Sequence, residues 1–198
     1  DLDMALPVAT FSFLVDFLYI YQNNGNGFFT HSFTVSGGGT GGTSRDLDED
    51  GDLDIATTWA FDQGYYYINN GNGIFESHLI SGLGYYHSNG IDLGDLNNDG
   101  NIDIAFSLKY YDAHSKIVML MNSGNATFSP NPSNTIYTSV YSSEPKLADF
   151  NGDHCLDISS ESYHYFNNCS AVFSSTLFNE GSEAFPFDMD GDGDMDLA

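Results

Sequence analysis

Apolar and polar positions alternate in short runs along the whole chain, and clusters of glycine, asparagine or aspartate separate the runs. Runs of this length filled by Tyr, Phe, Ile, Val and Thr predict β-strands. No stretch combines a helical period with caps. In the clearest stretch one strand ends at Arg45, an acidic turn follows, and further strands run Ile55–Phe61, Tyr65–Asn69 and Ile74–Ser81. The next stretch repeats the series with Ile104–Leu108, Lys116–Met121 and Thr127–Ser129.

Two motifs punctuate these strands in phase. The first is acidic: Asp46/Asp48/Asp50/Asp54, then Asp95/Asn97/Asp99/Asp103, Asp149/Asn151/Asp153/Asp157 and Asp188/Asp190/Asp192/Asp196, each followed by apolar residues. Successive copies start 49, 54 and 39 residues apart. The second begins at Asn23-Asn24-Gly25-Asn26-Gly27 and returns from Asn69, Asn122 and Asn167. Asn-Gly accepts the positive φ of a tight hairpin turn. Each repeat thus predicts four antiparallel strands A to D, with the acidic loop joining A to B and the Asn-Gly turn joining C to D.

Repeated four-stranded units of this length mean an all-β protein, a β-propeller. The expected layout is a partial blade at 1–36, blades at about 37–81, 82–129 and 130–177, and the start of another at 178–198. Phe28, Phe75, Phe128 and Phe173 are expected to fill contacts between blades. Ser36–Ser44 and Pro130–Ser143 are expected to be D-to-A connections. Asp1–Ala5 and Asp194–Ala198 are equivalent points of the repeat. The expectation is therefore part of a larger propeller, or an assembly completed by copies of the chain, with a closed four-bladed ring less favoured.

Charge changes the picture of the loops. The 198 residues carry 4 Lys and Arg against 28 Asp and Glu, a formal charge of −24. That balance argues against nucleic acid, whose phosphates need cations, and against an anionic membrane surface. No apolar run reaches the roughly 20 residues of a membrane helix. Nineteen of the 28 acidic residues sit in the acidic loops and the leading Asp1–Asp3. Carboxylates packed this densely repel one another unless a cation lies between them, and a hard cation taking six to eight oxygens, Ca2+, fits best. One solvated acidic turn would be unremarkable, but four in phase are not. An EF-hand would need a bidentate Glu at the twelfth position and flanking helices. Thr57, Phe106 and Ser160 stand there instead.

The acidic loops and the trailing Asn-Asn-Gly-x-Gly-x-Phe turns resemble the FG-GAP/VCBS repeat family, whose best-known members are integrin α-subunit propellers. The resemblance implies one calcium ion per A–B loop, four in all, and an extracellular role in adhesion, recognition or scaffolding without catalysis. It implies side-chain ligands at Asp46, Asp48, Asp50 and Asp54 with the Asp52 carbonyl completing the set. The equivalents are Asp95, Asn97, Asp99 and Asp103 with Asn101, and Asp188, Asp190, Asp192 and Asp196 with Asp194. In the remaining loop Asp149, Asn151, Asp153 and Asp157 persist, but His154 replaces the turn glycine and Cys155 takes the carbonyl position. A carbohydrate-binding lectin, or an accessory propeller of a larger secreted enzyme, is the alternative.

Cys155 and Cys169 are the only cysteines. They flank Ser162, the expected centre of a B–C turn, so as cross-strand neighbours they predict a disulfide and an oxidising compartment. Asn125-Ala126-Thr127 and Asn168-Cys169-Ser170 are glycosylation acceptors at Asn125 and Asn168. The six histidines show no zinc spacing, and no serine sits in a nucleophile elbow. On the face opposite the acidic loops, Trp59, Tyr85, Tyr86, Tyr110 and Tyr111 are candidates for stacking on a glycan or anchoring a protein ligand, though covering blade edges is the commoner use of such residues.

Overall fold

Strand and turn chemistry segregate in the structure as in the sequence. The structure is a computed structural model. It describes residues 3–8, 17–36, 39, 41–58, 64–80, 87–109, 114–138, 143–160, 163–177, 186–187 and 196–197. Blade 1 holds β1 (Met4–Val8), β2 (Phe17–Asn23) and β3 (Phe29–Ser36). Blade 2 holds β4 (Gly41–Arg45), β5 (Asp54–Thr58), β6 (Gly64–Asn69) and β7 (Phe75–Ile80). Blade 3 holds β8 (His87–Gly94), β9 (Asp103–Lys109), β10 (Ser115–Asn122) and β11 (Phe128–Thr138). Blade 4 holds β12 (Lys146–Ala148), β13 (Asp157–Ser160), β14 (Tyr163–Asn167) and β15 (Phe173–Leu177). A last two-stranded sheet pairs β16 (Pro186–Phe187) with β17 (Asp196–Leu197).

All strand pairs are antiparallel, and each blade is a meander in chain order. Among the described residues there is no helix, and no strand joins the first sheet to the last. The fold is an all-β, open, partial propeller.

The core lies between blades. Along β9, Ile104, Phe106 and Leu108 face blade 2, where they meet Leu47, Ala56 and Ile80. The intervening Ala105 faces blade 4 with Ile117, Met119, Ile158 and Tyr165. A third cluster joins Leu18 and Ile20 of blade 1 to Ile55, Tyr67 and Phe75 of blade 2. Because both faces of the middle strands are covered, β9 reads as a nearly continuous apolar run instead of a strict alternation. Blades 3 and 4 are also linked across their inner strands, where the Leu147 N–H donates to Asp92 Oδ2 at 2.9 Å.

Several expectations need correction. Ser36–Ser44 is not all connection, since Gly41–Ser44 belongs to β4, paired with β5 from Gly41↔Thr58 to Arg45↔Asp54. The glycines allow that pairing to be close: a Cβ on Gly42 would meet the Ala56 carbonyl oxygen at 2.9 Å. Pro130–Ser143 is likewise not one connection, because β11 runs on to Thr138. Its register passes from Leu120↔Pro130 to Val118↔Thr135, so the proline-containing stretch between bulges out before pairing resumes. Proline has no N–H for a ladder and is confined to such bulges and edges. Blade 3 consequently extends to Thr138, beyond the expected boundary at 129, and the strands of blade 4 begin at Lys146.

Phe28 is 71% exposed and does not fill a blade contact. The residue in phase with Phe75, Phe128 and Phe173 is Phe29, and Phe28 matches Ile74 and Val172, which are also exposed. Phe75, Phe128 and Phe173 do pack into the clusters between blades.

Candidate metal centre and the seams between blades

The acidic loops fold the same way in blades 2, 3 and 4. Each begins with a carboxylate that accepts from the N–H five residues on: Asp46 from Gly51 at 2.9 Å, Asp95 from Gly100 at 2.8 Å, and Asp149 from His154 at 2.7 Å. The donating residue has positive φ in every copy: Gly51 95°, Gly100 93° and His154 66°. Glycine enters that region without strain. In the blade 4 loop His154 occupies the position instead, and the glycine, Gly152 with φ 76°, stands two residues earlier. The turn is kept with its glycine moved. His154 Nδ1 lies 3.9 Å from Asp149 Oδ2.

The ninth-position carboxylates, Asp54, Asp103 and Asp157, are all 0% exposed. Each spans the blade. Asp54 Oδ2 accepts from Leu47 N–H at 2.7 Å and Oδ1 from Asn69 N–H at 2.8 Å. Asp103 accepts from Leu96 and Asn122 at 2.9 and 2.8 Å. Asp157 accepts from Phe150 and Asn167 at 3.0 and 2.8 Å. The A–B loop and the C–D turn therefore share one end of each blade.

Burial pushes Asp54 up to about 6; the Asn69 and Leu47 N–H groups work against the shift, and the Asp48 and Asp50 charges add to it. Asp103 is likewise pushed up to about 6 by burial, against Asn122 and Leu96 and with help from Asp99 and Asp95. Burial also raises Asp157. At the loop tips the balance reverses. Burial opposes the shift, but Asn101 N–H and the Asn97 and Asn101 amides hold Asp99 below the usual range. Four backbone N–H groups do the same, against burial, for Asp149.

The blade 2 loop has the donor set of a cation site. Carboxylate oxygens of Asp46, Asp48 and Asp54 all lie within 4.8 Å of one another. Asp46 Oδ1 is buried without a hydrogen-bond partner, which leaves a charged oxygen in need of a positive neighbour. Burial, then the Asp50 charge, raise Asp48. An all-oxygen set suits a hard divalent ion. Asp50 Oδ1 accepts from Asp52 N–H at 2.9 Å. In the other loops Asn97 Oδ1 and Asn151 Oδ1 accept from Asp99 and Asp153 N–H at 3.1 and 2.9 Å, and Asp99 and Asp153 accept from Asn101 and Cys155 N–H. Asp188, Asp190, Asp192 and Asp194 lie outside the described residues, and Asp196 falls on β17.

Cys155 and Cys169 are disulfide-bonded, with Cα atoms 5.1 Å apart. They are not opposed within the ladder as expected. The register Ser160↔Tyr163 centres the turn between residues 161 and 162. The bond joins the seventh loop residue to the third residue of the C–D turn. In blade 2 the same positions are Asp52 and Gly71, and a Cβ on Gly71 would lie 2.6 Å from Asp52 Oδ2. The repeat brings these positions together in both blades, and in blade 4 a covalent bond fills the contact.

Asn122 and Asn167 went unnoticed in the sequence because the second motif looks like turn chemistry alone. Asn122 Nδ2 donates to Leu47 O of blade 2 at 2.8 Å and to Ile102 O of its own blade at 3.1 Å. Ala126 N–H donates to the same Leu47 carbonyl at 3.2 Å. One blade further on, Asn167 Nδ2 donates to Leu96 O at 2.7 Å and Leu156 O at 2.9 Å, and Ala171 N–H donates to Leu96 O at 3.1 Å. Each turn thus grips the loop of the preceding blade at its second residue, Leu47 or Leu96, whose side chain is buried. The recurrence of asparagine at the head of every turn was the available signal.

Residues 46–106 match the family model of the FG-GAP-like repeat. The matched span runs from the blade 2 loop through the blade 3 loop into β9, so it contains one full period of the repeat and both gripped residues, Leu47 and Leu96, while the gripping asparagines lie beyond it. No curated protein matches the chain. Asn125 and Asn168, at the tips of the repeat's turns, are exposed. Trp59, Tyr85, Tyr86, Tyr110 and Tyr111 lie outside the described residues.

Proposed function

We propose that the chain is a calcium-stabilised extracellular propeller segment that works by binding and assembly, in adhesion, recognition or scaffolding, and not by catalysis. The observation that carries this is the blade 2 loop, where three carboxylates converge and Asp46 Oδ1 is buried without a partner. Asp46, Asp48, Asp50 and Asp54 would hold the ion there, with equivalents in blades 3 and 4. The bound ion would offset the loop's self-repulsion and set the loop against the turn that grips it. The Cys155–Cys169 bond supports an oxidising, extracellular setting. The partner is a protein or glycan met on the face away from the acidic loops, or copies of the chain itself, without nucleic acid or membrane insertion.

Thermal unfolding in calcium and in EDTA tests the metal. A melting temperature at least several degrees higher in calcium is expected, since a ligand that binds only the folded state stabilises it by mass action. Equal melts in the two buffers would rule the metal out. Asp50→Asn should shrink the difference.

A further inference from the structure

The acidic loops of blades 2, 3 and 4 share a backbone turn but differ in how far the chain itself satisfies their carboxylates. At the first position Asp95 accepts through both oxygens, Oδ1 from Asp99 N–H at 3.2 Å and Oδ2 from Gly100 N–H at 2.8 Å. Asp149 does the same, Oδ1 from Gly152 N–H at 2.8 Å and Oδ2 from His154 N–H at 2.7 Å. Asp46 accepts through Oδ2 alone, and its Oδ1 is buried with no partner.

The third and fifth positions differ in the same direction. In blade 3 the Asn97 amide donates to Asp99 Oδ2 at 3.0 Å and the Asn101 amide to Asp99 Oδ1 at 2.9 Å. In blade 4 the Asn151 amide donates to Asp153 Oδ2 at 3.0 Å. Blade 2 has Asp48 where those loops have Asn97 and Asn151, and an ionised carboxylate has no hydrogen to give. Among the described residues, Asp50 accordingly accepts from the Asp52 N–H alone. Six acidic residues fall within 46–54, against three in each of 95–103 and 149–157. An amide that donates to a carboxylate does part of a cation's work, and an ion that uses the same oxygen competes with it. The blade 2 loop has more charge and no such amide, and charge count is what sets the affinity of an all-oxygen site.

The two seams differ to match. Leu47 stands between Asp46 and Asp48; its N–H donates to Asp54 Oδ2 at 2.7 Å, and its carbonyl accepts from the Asn122 amide and the Ala126 N–H of blade 3. Ordering the blade 2 carboxylates therefore fixes the peptide that blade 3 grips. At the next seam the gripped residue is Leu96, in a loop whose own amides already satisfy it. The gripping turn there is tied down by the Cys155–Cys169 bond, and Asn98 Nδ2 lies 3.9 Å from Cys155 Sγ across the seam.

We propose that, of these three loops, the one in blade 2 takes calcium first, and that its ion sets the seam between blades 2 and 3 while the seam between blades 3 and 4 is held without one. The proposal rests on the calcium reading above and deepens it, turning equivalent sites into an ordered response. At low calcium one seam answers to the ion, and the next is already closed by amides and the disulfide.

The test follows the backbone amide signals of Gly51, Gly100 and His154, one reporter in each loop, through an NMR calcium titration of the whole chain. Hydrogen exchange at Ala126 and Ala171 is measured at each step. Gly51 should reach its midpoint at about tenfold lower calcium than Gly100 and His154, as one more charged ligand and no competing amide imply. Exchange at Ala126 should slow in step with Gly51, while Ala171 changes little over that range. Asn97→Asp should bring the Gly100 midpoint down towards that of Gly51, and Asp48→Asn should raise the Gly51 midpoint to that of the other loops. No shift at any reporter up to about 10 mM calcium, beyond the weakest extracellular sites, overturns the calcium reading and the order with it. A midpoint common to all three reporters overturns the order and leaves the calcium reading standing. Slowing of Ala126 and Ala171 together overturns the assignment of the ion to one seam.

Discussion

Asn122 shows how one side chain can serve two blades. Its amide hydrogens go to Leu47 O and Ile102 O, and its own N–H goes to Asp103. Asn122→Ala takes one donor from each carbonyl, leaving Leu47 O with Ala126 N–H alone, and should cost about 1–3 kcal/mol. Asn122→Asp should cost more, because it sets a carboxylate against both carbonyls; denaturant titration of the two variants measures the difference. The buried aspartates allow a second test at this scale. With Asp54 and Asp103 pushed up to about 6, above the ordinary carboxylate value near 3.9, the metal-free folded state binds protons more tightly than the unfolded state. Stability in EDTA should therefore be greatest near pH 4, fall as pH rises to about 6, and level off above that. Saturating calcium holds the carboxylates charged and should flatten or reverse the slope. Denaturant midpoints from pH 4 to 7.5, with and without calcium, check the sign.

At the scale of elements, the loop and the turn of each blade form one unit, joined by the ninth-position aspartate and, in blade 4, by the disulfide. Closing the short loop between Cys155 and Cys169, 14 residues apart, contributes about 3 kcal/mol in the chain-entropy account. Cys155→Ser/Cys169→Ser should lose about that much by denaturant titration and should weaken the blade 4 grip on Leu96 in hydrogen exchange. Strands A to D were readable from apolar runs and turn residues wherever each run was continuous. The exceptions have local causes. Gly41-Gly42 resembles a linker because glycine reports its backbone freedom and not its partner, yet the carbonyl of Ala56 lies where a side chain would stand. Pro130 and Pro132 resemble the end of a strand, yet Thr135–Thr138 returns to the same partner beyond them.

Across the whole molecule, stability is distributed over seams and opposed by charge. With a formal charge of −24 and 4 basic residues, the metal-free protein should be stabilised by ordinary salt, because screening shortens the range of repulsion to about 10 Å at 0.1 M. Melting temperature in EDTA should rise with NaCl from 10 to 300 mM, and the rise should be smaller in calcium.

The sequence by itself determined the class of fold, the period of the repeat, the place of the acidic loops beside the Asn-Gly turns, and the pairing of the cysteines. Each depends on local chemistry that recurs at fixed spacing, and recurrence separates it from chance. The tertiary structure decided what these residues face. Only stacked blades bring Asn122 to Leu47 O and Asn167 to Leu96 O, 75 and 71 residues away, and only they show that Asp54, Asp103 and Asp157 lie wholly buried across the blade. A turn asparagine and a loop aspartate look alike in sequence whether they meet water, a cation or the next blade. The difference comes from burial, which makes each hydrogen bond between blades too costly to leave unmade.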